Sequence, residues 1–399
     1  MKRMLLIPVI LLSTLSLAGC WDRTEINDLA IITAVAFDKA NEKEIELSVQ
    51  IFVPRSLSGS NSSTGGGGGG GGGNLPTTIM RTTKGVNVAD ALSKMQANLP
   101  RTIFWGHCKI YMYGEELAKH GIVELVDFLT RHPEPRNRAF MFVSKGKAKE
   151  LLKLTPRLEM NSAEVVRKLT GLDVGMEVTL LELQKMLDGS SRAAVIPMIS
   201  IMPPEKMSQP MKTNPYLIGT AVFKQGKMSG MLSERYTRGA MWIRNEISAT
   251  TVTVKAKGVK GFVSLNPIRE VTRLDPIIEN GKWKMVVEVE TEGDLIQNGT
   301  NLNLTVLKLM KIMETALRED IDTRVKSTLK VAQKDLKADI FDFATHFRRK
   351  YPREFAAVKD RWEQVFPNIE VETRIKAYIR RPGLTTIPGG IPESEVREK

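Results

Sequence analysis

Residues 268–289 read IREVTRLDPIIENGKWKMVVEV. Two runs rich in β-branched and aliphatic side chains flank Glu279-Asn280-Gly281-Lys282, where Asn-Gly supplies the two φ > 0 residues of a type I′ turn. The stretch is therefore a hairpin, Ile268 to Ile278 and Trp283 to Val289. Downstream, Val306, Met310, Met313, Leu317, Ile321, Val325, Leu329, Ala332 and Leu336 recur at steps of three and four. That spacing lays one apolar stripe along a helix about 50 Å long, and the stripe is expected to be core of its own chain. Phe341, Phe343, Phe347, Phe355, Trp362 and Phe366 continue the helical pattern, and Ile369 to Ile379 reads as a closing strand. Hairpin, long helix and strand make a C-terminal α/β domain over 263–382. The Pro/Gly/Glu-rich tail, 383–399, is expected to be disordered.

A second hairpin lies near the other end of the chain. Leu29 to Asp38 and Glu44 to Pro54 flank Lys39-Ala40-Asn41-Glu42, and Ile45, Leu47, Val49, Ile51 and Val53 alternate along the second strand. The serine- and glycine-rich stretch that follows, with Gly65 to Gly73 unbroken, cannot offset its ordering entropy and is expected to be a flexible loop, 56–76. Polyglycine formally contains GxGxxG, but no helix opens directly after it, so no dinucleotide site follows. From Thr77 to Ile201 short strands (77–83, 103–113, 139–144, 193–201) alternate with helices (88–97, 114–119, 122–131, 147–154, 163–170, 180–187). Met202-Pro203-Pro204 opens a connector, followed by a strand-turn-strand around Gln225-Gly226 and a helix from Ser233 to Arg244. The fold class is mixed α/β (α+β). Three domains are expected, 20–201, 202–262 and 263–382, each a mostly antiparallel or mixed sheet with packed helices.

The first twenty residues carry a different signal. Lys2 and Arg3 precede an apolar run from Met4 to Leu17, and Leu17-Ala18-Gly19-Cys20 ends it. The run is too short to span a hydrocarbon core of about 30 Å, and the small residues before Cys20 mark a cleavage site. Residues 1–19 read as a lipoprotein signal peptide, and Cys20 as the mature first residue bearing diacylglyceryl and N-acyl chains. Several acyl chains make membrane residence long-lived. The formal charge is +13, and loss of Lys2 and Arg3 lowers it by two. A basic surface suits anionic headgroups. Nucleic acid is not an expected partner, since export removes the chain from the chromosome and no Lys/Arg block is interleaved with aromatics. With Cys20 acylated, Cys108 is the single remaining cysteine, so an internal disulfide is excluded.

Catalytic patterns are missing from the sequence. His107, His120, His132 and His346 sit in unrelated contexts, with no HExxH, CxxC, EF-hand loop, GxSxG or Walker pattern. No metal and no cofactor are expected. His107-Cys108 places a base next to a thiol, but strand neighbours point to opposite faces, so Cys108 is read as a buried thiol and Trp105 as core.

Cys20-Trp21-Asp22-Arg23-Thr24-Glu25-Ile26, followed by Leu29 to Asp38, resembles the start of the C subunits of spore germinant receptors, the Ger(x)C lipoproteins of endospore-forming Firmicutes. Further landmarks are His132-Pro133 to Arg138, Lys147-Ala148 with Leu151-Leu152, Gly219 to Phe223 with Gly230 and Leu232, and Asp339-Ile340-Phe341 to Tyr351-Pro352 with Trp362 and Phe366-Pro367. The nine-glycine tract departs from the family pattern, in a connection where insertion is cheap. The resemblance implies a three-domain lipoprotein on the outer face of the spore inner membrane, acting with an A subunit and a polytopic B subunit to answer nutrient germinants. It implies no enzyme activity and no direct germinant binding by this chain. Trp21, Asp22 and Arg23 are then either a packing feature beside the membrane or a contact with another subunit. Two other readings share parts of the pattern. A solute-binding lipoprotein serving a transporter shares the anchor but would be built of repeated parallel βαβ units, and an exported wall hydrolase would need paired acids or a metal.

Overall fold

A computed structural model describes residues 25–53, 77–172, 174–204, 209, 211–248, 250–381, 383 and 388–398. The first hairpin is β1 (Leu29–Lys39) and β2 (Ile45–Phe52), followed by β3 (Thr78–Gly85), α1 (Val88–Ala97), β4 (Thr102–Phe104), β5 (Ile110–Gly114), α2 (Glu115–His120) and α3 (Val123–Arg131). Next come β6 (Phe140–Ser144), α4 (Ala148–Leu152), α5 (Ser162–Thr170), α6 (Leu180–Asp188), β7 (Ala193–Ile201), β8 (Pro215–Lys224), β9 (Lys227–Ser233) and α7 (Glu234–Arg244). The C-terminal part holds β10 (Val252–Val254), β11 (Val263–Glu279), β12 (Lys282–Asn298), α8 (Leu307–Lys330), α9 (Phe343–Lys350), α10 (Pro352–Ala356), α11 (Trp362–Val365) and β13 (Glu370–Arg381).

Nine strands form the first sheet in the order β3-β2-β1-β5-β6-β7-β8-β9, with β4 beside the start of β1. Its centre, β1-β5-β6-β7, is parallel, and its flanks are antiparallel hairpins. Central strands such as β5 are buried on both faces, because helices cover both sides. Residues 202–262, expected as a small middle unit, contribute β8 and β9 to this sheet and β10 to the next. The second sheet runs β10-β11-β12-β13.

The Asn-Gly hairpin forms as read, with Asn280 at φ 50 and Gly281 at φ 75 and Glu279 paired to Lys282. Its strands are longer than the sequence pattern suggests, 17 residues each, and β13 pairs with β12 in parallel. The stripe of α8 is core: Met313, Leu317, Ile321, Val325 and Leu329 are buried, and Ala332 continues it through a π turn at Val331–Asp335. The Gln333 amide secures that turn by donating to Phe366 O at 3.0 Å and Ile369 O at 2.9 Å.

Three expectations are corrected. The strand read from 103 to 113 is two strands, since a turn closed by Cys108 N donating to Trp105 O at 2.8 Å separates β4 from β5. The aromatic run after Phe341 is three short helices, interrupted at Asp342, which sits at φ 59, and before Pro352. Pro352 lacks the N–H that a helix interior needs. The tail is ordered over 388–398, where Arg397 N donates to Asn301 O at 2.7 Å and Asn303 N to Arg397 O at 3.0 Å, with Val396 buried beneath.

One apolar core runs from β1 through α7 into α8 and the second sheet, and a smaller one lies under α4 and α5 on the opposite face of the first sheet. At the junction α7 crosses α8 at Gly239. A Cβ there would stand 2.1 Å from Thr328 Oγ1 and 2.6 Å from Arg324 O. Only glycine permits that approach, and the Thr328 hydroxyl donates back to Tyr236 O at 3.1 Å. Arg244 donates to Ile340 O at 2.7 Å, and Lys224 and Gln225 both meet Glu363, which fastens the two halves further.

Candidate functional site

His107, Cys108 and Trp105, weighed above for chemistry, take structural positions. Cys108 is fully buried, its thiol directed at Ile110 O at 3.4 Å, and burial pushes its pKa up to about 12, so the thiolate that a nucleophile requires is not available near neutral pH. His107 is exposed and its ring lies edge-on to Phe104 at 5.8 Å. Trp105 is core, stacked on Tyr111 at 6.2 Å, with its backbone N–H donating to Glu134 at 2.7 Å. Among the described residues no cluster of three or more His, Cys, Asp or Glu is placed to hold a metal. Cys20, Trp21, Asp22 and Arg23 lie outside the described residues, as do the signal segment and the loop 56–76. No described helix is long and apolar enough to cross a membrane.

Two of the sequence landmarks are explained by buried carboxylates whose role the sequence did not reveal. Asp38, at the end of β1, accepts from Ala148 N at 2.7 Å and Lys149 N at 2.9 Å. It thereby satisfies the free N–H groups of α4 from 110 residues away, and burial raises its pKa. Gly114 is the matching element, since a Cβ there would stand 2.1 Å from the Asp38 carboxylate. Lys149 closes the corner with an ion pair to Glu46 at 2.8 Å. In the C-terminal half, Asp339 accepts from Phe343 N at 3.0 Å, Ala344 N at 2.8 Å and the Trp362 indole at 2.9 Å, pinning α9 to α11. Burial outweighs these donors and pushes Asp339 up to about 6. These carboxylates hold backbone and indole N–H groups rather than a reacting group.

Glu270 behaves differently. A residue of β11, it is held up to about 8 by burial, with Glu246 as a like charge nearby. Because the folded value lies above the ordinary 4.5, the folded protein keeps a proton that the unfolded chain releases. That stability is complete in acid and is lost as pH rises through 8. The Asp339 contribution has the same sign but is exhausted once pH passes 6, and His346, lowered by burial, acts only below its ordinary range. The melting temperature should therefore fall by about 3 °C between pH 6.5 and 9. Thermal scans of the wild type and Glu270→Gln check this; an equally steep fall in the variant would remove Glu270 as the cause.

A broad concave surface lies beside α3, a trough with a volume of 820 Å³, between α1, the start of β2 and the 131–133 loop. Ile45, Val88, Leu125 and Phe128 form its floor, and Val86 and Val123 stand exposed on its rim. Two of its polar groups are paired within the chain: Asn87 caps α1 by accepting from Asp90 N at 2.9 Å, and Asp127 holds Arg131 at 2.6 Å. A smaller hollow of 370 Å³ continues it past the β1–β2 turn to Gln225-Gly226-Lys227. An open trough floored by apolar side chains suits contact with another surface better than bond chemistry.

Comparison with known proteins adds the family. A model of the spore germination protein N-terminal domain matches residues 22–201, and a model of the spore germination B3/GerAC-like C-terminal domain matches residues 218–383. Spore germination protein KC of Bacillus subtilis (strain 168) is 30% identical over 404 residues, covering 97% of this chain and 98% of that protein. Putative spore germination protein YfkR of the same organism is 29% identical, covering 90% and 92%. The crystal structure of the GerBC protein shares the fold at a TM-score of 0.51 and 19% identity, covering 86% of this chain and 96% of that one.

Proposed function

This chain belongs to the spore germination B3/GerAC-like family, and from that premise we propose that it is the non-catalytic lipoprotein subunit of a nutrient germinant receptor. The observation that carries the reading is the full-length match to spore germination protein KC, joined to a Leu-Ala-Gly-Cys signal end at Cys20. Acylated Cys20 confines the chain to the outer face of the spore inner membrane. Confinement raises its effective concentration near membrane-embedded A and B subunits, so that modest docking contacts suffice. The apolar trough beside α3 offers one such contact, and Trp21, Asp22 and Arg23 beside the anchor offer another or pack against the body.

Cys20→Ala tests the mechanism when the protein is still delivered to the exported space. Nutrient-triggered germination of such spores should fall at least tenfold while the purified variant melts at the wild-type temperature. Germination at the wild-type rate would show that the anchor is dispensable. Calorimetry with amino acids, sugars and nucleosides separates the alternative of a solute-binding lipoprotein for a transporter, which requires a direct heat of binding.

A further inference from the structure

We propose that the end of the molecule where β1 begins lies against the bilayer, with Ile26, Leu158 and Met160 entering its interfacial zone. The inference rests on the reading of Cys20 as the acylated residue and goes beyond it by assigning an orientation and a lipid-contacting surface. Five peptide units separate Cys20 from Glu25, and a fully extended chain of that length reaches at most about 18 Å. Whatever path the tether takes, the start of β1 cannot stand farther than that from its anchor.

The surface at this end is apolar where it is most exposed. Ile26, in the turn that leads into β1, is 71% exposed; Leu158 and Met160, in the segment between α4 and α5, are 86% and 54% exposed. Single exposed apolar residues are ordinary, but here they come from two segments that the fold brings to one place. Ile31 and Phe52 share a cleft with Asn161, Ala163, Glu164 and Arg167, which sets the start of α5 beside the start of β1. The Thr77 hydroxyl donates to Met160 O at 2.9 Å, and Val53 N donates to Thr77 O at 2.8 Å, so Met160 sits at the end of β2. The segment is held in place, since Thr155 N donates to Met211 O at 2.9 Å and Lys168 pairs with Glu159 at 2.6 Å. Lys109, on the same cleft, suits a headgroup layer. Bilayer is the occupant because the tether length leaves the anchor no farther away, and side chains that snorkel or insert at an interface are of these types.

The opposite end supplies the control. The β1–β2 turn, with Glu42 exposed at its tip, lies about 35 Å along the 11 residues of β1. Because Cys108 is buried, a thiol introduced at the surface can be labelled selectively. The full acylated protein carrying Leu158→Cys or Glu42→Cys, tagged with a fluorophore, is bound to phosphatidylglycerol/phosphatidylcholine vesicles without other subunits. Quenching of the Leu158→Cys label by a water-soluble quencher should fall at least fivefold, brominated lipid should quench it, and the Glu42→Cys label should respond to neither. If the protein sediments with vesicles while both labels stay equally accessible from water, the orientation is overturned and the anchor stands. If it does not sediment, the anchor reading falls and the orientation with it.

Discussion

Asp339→Ala should destabilise the protein by about 3–5 kcal/mol. The carboxylate accepts from Phe343 N, Ala344 N and the Trp362 indole, and its removal leaves three buried donors without an acceptor. Each such donor carries a desolvation penalty of about 1–3 kcal/mol, offset in part because the buried carboxyl no longer has to be desolvated. The damage spreads beyond a helix cap, since Trp362 is packed with Trp283 at 5.8 Å, Phe347 at 5.8 Å and Phe355 at 5.3 Å, and these rings join α9, α10 and α11 to the end of the long hairpin. Urea unfolding followed by tryptophan fluorescence measures the loss. A midpoint within experimental error of the wild type would mean that the three donors find other acceptors, and the assigned role would be withdrawn.

Gly239→Leu should act at the junction of the two sheets. A first side-chain carbon at 239 already meets Arg324 O at 2.6 Å, and a backbone carbonyl cannot rotate away as the Thr328 hydroxyl at 2.1 Å can. A leucine therefore forces α7 and α8 apart. Overpacking of this kind costs about 1–3 kcal/mol in a core, and separating two helices along a shared core puts the expected loss at the upper end. Because α7 follows β9 directly and α8 covers β13, their contact couples the first sheet to the second. Calorimetry should resolve the wild-type transition into two in the variant, as expected when the link between cooperative units is broken. The double variant with Thr328→Ala relieves the hydroxyl but not the carbonyl and should recover only part of the loss. A single transition at the wild-type temperature in Gly239→Leu would show that the crossing tolerates a side chain.

The features legible in the sequence are those whose cause lies within a few residues. Asn280-Gly281 specifies its turn because both positions need positive φ, which those residues adopt at little cost. The stripe from Met313 to Leu329 announces a buried helix face because its period matches 3.6. Resemblance to the family added the landmarks, but not what they do in the fold.

The tertiary structure alone decided the pairings across long stretches of chain. No local pattern says that β13 returns parallel to β12, that β8 and β9 extend the first sheet, or that Val396 and Arg397 come back to Asn301–Asn303. Nor does any local pattern mark Asp38 as the cap of a helix 110 residues downstream, or Gly114 and Gly239 as the gaps that let carboxylate and helix approach. Periodicity reports which face of an element avoids water, and a cap or a crossing glycine is defined by the element that arrives opposite it, so it exists only once the chain has folded.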